Sequence, residues 1–415
     1  MNEKSAHYYL LAIANFLAAL GGGTILGKGI GIINSPYIHG SAILSFFVGS
    51  VLGLVFLQSI PKNWAKIVGY SFSALCGISS LILLFIFNSY AVDGKITDIA
   101  GLMFFVLLCV RFGFWFYSRV LRASAAAGLQ QRIAWVEFGY YTGMIAGLIA
   151  WKVINIDIAM SAALIIDVIL QFCAGSLDIV ANIKANQKTV SNPIEEAQKP
   201  TREIKSNQDE KIWGWKLSIS VVLLTIGIQA TVFNLTHYVS AYFSSFILAF
   251  FYLGVSLAAV FCRTFTISLE WNSYNQPVIC TSKNPKEFSL LSNLILTTII
   301  TTMTFLGAIS WNWATDSFSF TTILFFLLVT LSAFMYEVIA LAILDRIGLE
   351  ERATNQKGMV IRAYGLIGVG ASIGLWILGM STNTMIGLML MLYLCVISSA
   401  AMISKRASLA PEIQI

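Results

Sequence analysis

Four ionisable residues stand inside long apolar runs: Arg111 in LLCVRFGFW, Glu137 in AWVEFGYY, Asp167 in ALIIDVIL and Glu337 in FMYEVIAL. A charged side chain at the centre of a membrane helix is unfavourable by about 2.5–3.5 kcal/mol on insertion scales, so it marks a route for polar cargo or protons. A carboxyl group in low-dielectric surroundings is harder to ionise, which brings proton uptake and release toward neutral pH. Asp167, Glu337 and Glu137 are therefore candidate proton-coupling groups, and Asp167 has no evident local partner. Arg111 offers a planar fork of donors that suits a carboxylate or phosphate of a solute. It also lies roughly 12 Å along its helix from Arg119, while Glu137 lies roughly 8 Å from Arg132. An Arg111–Glu137 pair that holds two helices in register is the competing reading. Lys28, Lys152 and Asp178 lie near run ends, where side chains reach the headgroups, and carry less signal.

Such residues need long apolar elements to hold them. Of the 415 residues, 57% are hydrophobic and 11% charged, and the mean hydropathy is +0.79. A soluble globule carries about 25% charged residues. A chain this poor in charge cannot cover a water-facing surface, so its solvent is the lipid bilayer. The formal net charge of +6 then reflects basic cytoplasmic loops rather than nucleic acid as a partner. Runs of the roughly 20 apolar residues that cross a bilayer fall at 8–33, 40–60, 67–89, 99–118, 134–154 and 158–182. Six more fall at 214–236, 240–262, 289–310, 319–343, 359–380 and 384–404. The seven prolines lie outside all of them, as expected of a residue that breaks helix hydrogen bonding.

The expected fold is an all-α polytopic membrane protein, with 12 transmembrane helices in two pseudo-symmetric six-helix bundles. Residues 1–182 form the N-terminal bundle, 183–213 a cytoplasmic linker and 214–415 the C-terminal bundle. The linker holds 11 charged residues with Pro193 and Pro200, a composition that buries little apolar area. The N-terminus reads as a retained first span. Basic residues such as Lys62, Lys66, Arg119, Arg122, Arg132, Lys405 and Arg406 collect on one side, which places both termini in the cytoplasm. A bacterial inner membrane is the expected location, since the one N-x-T sequon, at Asn234, abuts a span end. Six cysteines without a C-x-x-C pair support neither a disulfide framework nor a zinc site.

Internal similarity points to duplication. His39-Gly-Ser-Ala followed by FFVGSVLGLVF matches His237-Tyr-Val-Ser-Ala followed by FFYLGVSLAAVF, pairing spans 2 and 8. QQRIAWVEFGYYTGMIAGLIAW likewise lies over NQKGMVIRAYGLIGVGASIGLW, pairing spans 5 and 11. Glycines at a spacing of four, namely Gly23, Gly27 and Gly31 in span 1 and Gly139, Gly143 and Gly147 in span 5, let helices approach closely. Gly370 and Gly374 suggest the same for span 11.

With two sets of six spans around a charged tether, the chain resembles the major facilitator superfamily of secondary transporters. Arg111 stands where that family's helix 4 motif often has an arginine, and the Gly139/Gly143/Gly147 ladder is similar to its helix 5 motif. The loop between spans 2 and 3 reads QSIPKNWAK rather than the family's Asp-Arg-x-Gly-Arg, which implies a divergent branch. The resemblance implies a cavity lined by helices 1, 4, 5, 7, 8, 10 and 11. Asn15, Thr24, Tyr140, Tyr141 and Gln229 fall in that set and, with Arg111, make up the candidate substrate-binding residues. Trp311 and Trp313 read as interface anchors, and His39 and His237 as residues of the outer rim.

No G-x-S-x-G, H-E-x-x-H or P-loop pattern occurs, so neither hydrolase chemistry nor ATP-driven pumping is expected, and no cofactor is implied. The expected function is secondary active transport of a small polar or anionic organic solute, of the amino acid, nucleoside or organic acid class. Protons would be coupled by alternating access of two bundles in a monomer. The alternatives are an exporter of a siderophore or amphipathic compound, and a non-transporting receptor on the same scaffold.

Overall fold

In the computed structural model the described residues are 3–29, 34–35, 38–39, 41–59, 62–96, 98–125, 130–153, 159–189, 208–238, 241–265, 267–271, 277–281, 284–310, 320–346, 356–377 and 383–404. Gly31, Trp311, Trp313 and residues 190–207 of the expected linker lie outside them, as do the side chains of His39 and His237.

Each apolar run becomes a helix. The first half comprises α1 (Glu3–Gly29), α2 (Ser41–Ser59), α3 (Lys62–Tyr90), α4 (Asp98–Ala125), α5 (Gln130–Val153) and α6 (Met160–Thr189). Span 7 is α7 (Gln208–Leu224), a π-helical turn at Thr225–Gln229 and α8 (Ala230–Tyr238). The remaining spans are α9 (Ala241–Phe265), α10 (Leu290–Ser310), α11 (Phe320–Arg346), α12 (Gln356–Ile377) and α13 (Asn383–Ser404). Among the described residues, eight helices carry an apolar stretch of at least 18 residues, and three shorter apolar helices accompany them. Large apolar side chains such as Phe85, Ile99, Phe320 and Leu394 are exposed, as a lipid-facing rim requires. The chain is a multi-pass membrane protein.

Glycine spacing decides how the first half packs. A Cβ at Gly139, Gly143 or Gly147 would overlap the carbonyl oxygen of Ala12, Phe16 or Leu20, respectively. From the other side, a Cβ at Gly23 would stand 2.6 Å from the Met144 carbonyl oxygen. The ladder on α5 thus lets the α1 backbone lie directly against it, as small-residue packing in lipid requires.

For span 11 the expectation needs correcting. A Cβ at Gly370 would make an ordinary 3.5 Å contact with Phe47, and one at Gly374 would meet nothing within 4 Å. The tight approach is at Gly365 and Gly368, where a Cβ would fall 2.6 Å from Thr225 and 2.5 Å from Ile226 of the π-helical turn. The π turn inserts an extra residue and bulges the backbone outward, and the two glycines accommodate that bulge.

The halves meet along two seams, α2 against α12 and α5 against α9. Spans 2 and 8 correspond by sequence, as do 5 and 11, so the pseudo-two-fold that exchanges them carries one seam onto the other. Aromatic rings interlock across the halves: Phe47 meets Phe233 at 4.8 Å and Tyr141 meets Tyr252 at 6.3 Å between centroids.

Hydropathy does not reveal a small antiparallel sheet between α9 and α10. Strands β3 (Ile267–Trp271), β4 (Pro277–Thr281) and β5 (Asn284–Ser289) follow β1 (Asn34–Ser35) and β2 (Ile38–His39) of an earlier two-stranded turn. Ile267 and Leu269, two residues apart and hence on one face, are buried together with Val278 and Ile279, and β3 rests on α11.

Candidate functional site

Arg111 and Asp167 form a bidentate pair with no exposed side-chain surface. Nη2 donates to Oδ1 at 2.5 Å and Nε to Oδ2 at 3.1 Å. Ser80 of α3 and Gln171 of α6 also donate to this carboxylate. Space for the pair comes from α1. A Cβ at Gly21 would overlap Asp167 Oδ1, and one at Gly22 would stand 3.2 Å from Arg111 Nη1. Two expectations are corrected here. Asp167 has a partner, and Arg111 pairs with it rather than with Glu137. The sequence argument compared depth along the helix axis and ignored rotation about it.

Rotation also yields a second rung. At 3.6 residues per turn, Arg122 is turned about 20° from Arg111 and Arg119 about 80°. Arg122 therefore shares the face of Arg111, and Asp178 stands 11 residues beyond Asp167, matching the step on α4. Arg122 contacts both oxygens of Asp178 at 2.8 Å, with both residues buried. It also donates to Ser73 at 2.6 Å, Asn15 Oδ1 at 3.1 Å and Ser118 at 3.4 Å. Arg122 had been expected at a cytoplasmic loop and Asp178 at the headgroups. Instead α4 continues to Ala125 and carries the arginine inward. The equal 11-residue spacings were the overlooked signal.

Glu137 pairs with Arg119 at 2.5 Å. The guanidinium lies 3.6 Å above the centre of the Tyr140 ring and donates to the Tyr141 hydroxyl at 3.2 Å. Across the seam, Arg362 of α12 donates to Glu337 of α11 at 3.0 Å. The neighbouring Tyr336 hydroxyl is shared between Thr225 at 2.7 Å and Gln229 at 3.2 Å, both in the π turn. The structure thus brings Glu137, Tyr140 and Tyr141 together from one half, and Gln229 and Glu337 from the other. Arg119 and Arg362 were missed because both lie close to the expected ends of their spans.

Exposure separates the two kinds of pair. The seam side chains retain 16% and 14% (Arg119, Glu137) and 34% and 4% (Arg362, Glu337) of their surface, against 0% for both members of the first rung. Asn15 and Thr24 belong with the interior. Asn15 donates to the Val136 carbonyl, while the Thr24 hydroxyl donates to Leu20 and accepts from Trp151. Both tie α1 to α5. Among the described residues, no group of three or more His, Cys, Asp or Glu is placed to hold a metal ion.

No family's sequence profile matches the chain, and no curated protein matches it. Solved structures do. The nucleoside transporter NupG aligns at 14% identity over 97% of this chain and 98% of its own, with a TM-score of 0.55. The POT family transporter PepTSo aligns at 11% identity over 96% and 97%, with a TM-score of 0.60. A bacterial homologue of the iron transporter ferroportin, in an outward-facing state, aligns at 9% identity over 96% and 98%, with a TM-score of 0.53. The likeness spans nearly the full length of each partner, and this chain shares the helical fold of these transporters.

Proposed function

We propose that this chain is a secondary active transporter that moves a small polar organic solute by rocking its two halves about the seams. Proton movement is coupled at Glu337 and Glu137. The observation that carries this reading is the placement of two ion pairs, one from each half, both retaining some exposed surface, with Tyr141 hydrogen-bonded to Arg119 of the first. Structures of this architecture bind cargo between pseudo-symmetric halves that rock against each other. An ionised Glu337 holds Arg362. A proton on that carboxylate removes the attraction, frees the guanidinium and shifts the balance between two arrangements of the seam. The basic loops support a bacterial inner-membrane setting with cytoplasmic termini.

Reconstitution into proteoliposomes tests the reading. An imposed pH gradient should drive accumulation of a transported solute, and Glu337→Gln should abolish accumulation while solute exchange persists. Uptake indifferent to the gradient would remove proton coupling. Failure to move any of a broad panel of amino acids, nucleosides and organic acids would leave a receptor on a transporter scaffold.

A further inference from the structure

The arginines of the membrane helices are held to different extents. Arg111 and Arg122 are buried and bidentate to Asp167 and Asp178. Arg119 lies on the Tyr140 ring and donates to both Glu137 and Tyr141. Arg362 makes one hydrogen bond among the described residues, from Nη2 to Glu337 Oε1 at 3.0 Å, and keeps 34% of its side-chain surface. A guanidinium carries five N–H donors, so most of this fork is not engaged by protein.

Rotation along α12 fixes where that surface points. At about 100° per residue, Gly365 stands about 60° to one side of Arg362 and Gly370 about 80° to the other. Gly365 packs on the π turn of span 7, and Gly370 on Phe47 of α2 in the other half. Ala363 is likewise buried, in a cluster with Leu54 of α2 and Val120 of α4. The exposed Tyr364 lies on the opposite face, roughly 160° away. Arg362 therefore projects between the halves and away from lipid.

An accessible guanidinium in that place suits a planar oxyanion, and Glu337 is the competitor for it. This acid keeps 4% of its surface and, among the described residues, accepts only the Arg362 bond. Asp167, by contrast, is held by Ser80 and Gln171 as well as Arg111. A cargo carboxylate that takes Arg362 would leave Glu337 as an unpaired buried charge, which is strongly unfavourable. Glu337 therefore takes up a proton as the carboxylate arrives. One negative charge and one proton enter together, so the net charge of the site is unchanged. The nearby Tyr336 hydroxyl is engaged by Thr225 and Gln229, and Arg119 and Glu137 of the other half neutralise each other.

We infer that Arg362 is the subsite for the carboxylate of an organic solute, which displaces Glu337 as that acid takes up a proton. The inference rests on the transporter reading and narrows its cargo to solutes with a free carboxylate. It places the anion at Arg362 rather than at Arg111, whose fork Asp167 already fills.

Full-length protein in detergent is titrated calorimetrically with lactate, nicotinate and alanine, and with their amides. At about pH 7.5 at least one carboxylate should bind about tenfold or more tightly than its amide, and the buffer dependence of its binding heat should report about one proton taken up. Glu337→Gln removes the competing charge, so it should bind the same probe about tenfold or more tightly than the wild type, without proton uptake. Arg362→Gln should lose the preference for the carboxylate. Should either variant fail to fold, the proton count of the wild type decides. Equal or tighter binding of the amides, no proton uptake in the wild type, no gain of affinity in Glu337→Gln, or no binding of any probe would overturn the inference. Counterflow in proteoliposomes separates the two ideas. Proton-linked binding of a carboxylate without flux retains the subsite and removes the transporter, whereas flux of an amide as fast as its carboxylate does the reverse.

Discussion

Gly21 of α1 faces Asp167 of α6 so closely that the carboxylate oxygen occupies the place of the absent side chain. A glycine thereby fixes the position of a buried acid, and the acid fixes Arg111. Removing one member of such a pair leaves an uncompensated buried charge, typically unfavourable by about 3–5 kcal/mol, whereas replacing both with well-packed apolar residues is often neutral or stabilising. Asp167→Asn and Arg111→Met should each lower the thermal midpoint sharply, and the double variant Arg111→Met/Asp167→Leu should recover most of the loss. Additive losses in the double variant would contradict the pairing.

The α1–α5 crossing gives a second expectation. Gly143→Ala drives a methyl into the Phe16 carbonyl, and overpacking of this kind is unfavourable by about 1–3 kcal/mol. Gly374→Ala enters open space and should cause no loss. Thermal unfolding of both variants in one detergent makes the comparison, and equal midpoints would show that the ladder does not bear on stability.

At the seam, Phe47 Cβ and a Cβ at Gly370 are 3.5 Å apart, at the near edge of the roughly 3.5–4.5 Å range spanned by disulfides. The double variant Phe47→Cys/Gly370→Cys should cross-link under mild oxidation and stop transport, and reductant should restore it. Full transport in the cross-linked protein would mean that α2 and α12 do not separate there during the cycle.

For the seam acids, Glu337→Gln should flatten the dependence of transport on pH, because it removes the carboxylate that holds Arg362. Glu137→Gln should do the same if both acids couple protons. Asp178→Asn should instead act through stability, because its pair is enclosed by Ser73, Asn15 and Ser118. The check is a set of initial rates across pH, normalised to the amount of folded protein. A pH profile of Glu337→Gln that overlays the wild type would remove this residue from the coupling.

The sequence by itself determined the apolar rods, their division into two sets of six, and the glycine ladders that mark spans 1 and 5 for close packing. Those properties depend on composition and on one-dimensional spacing, which the chain carries directly. Partner choice was decided by the tertiary structure. Arg111, Arg119 and Arg122 lie within 12 consecutive residues of α4, yet they take acids on α6, α5 and α6, respectively. Helix rotation and the identity of neighbouring helices, neither of which depth conveys, select among them. The π turn in span 7 and the sheet after α9 likewise became visible only in three dimensions. The turn answers to Gly365 and Gly368 on a different helix, and the sheet's strands are too short for hydropathy to register.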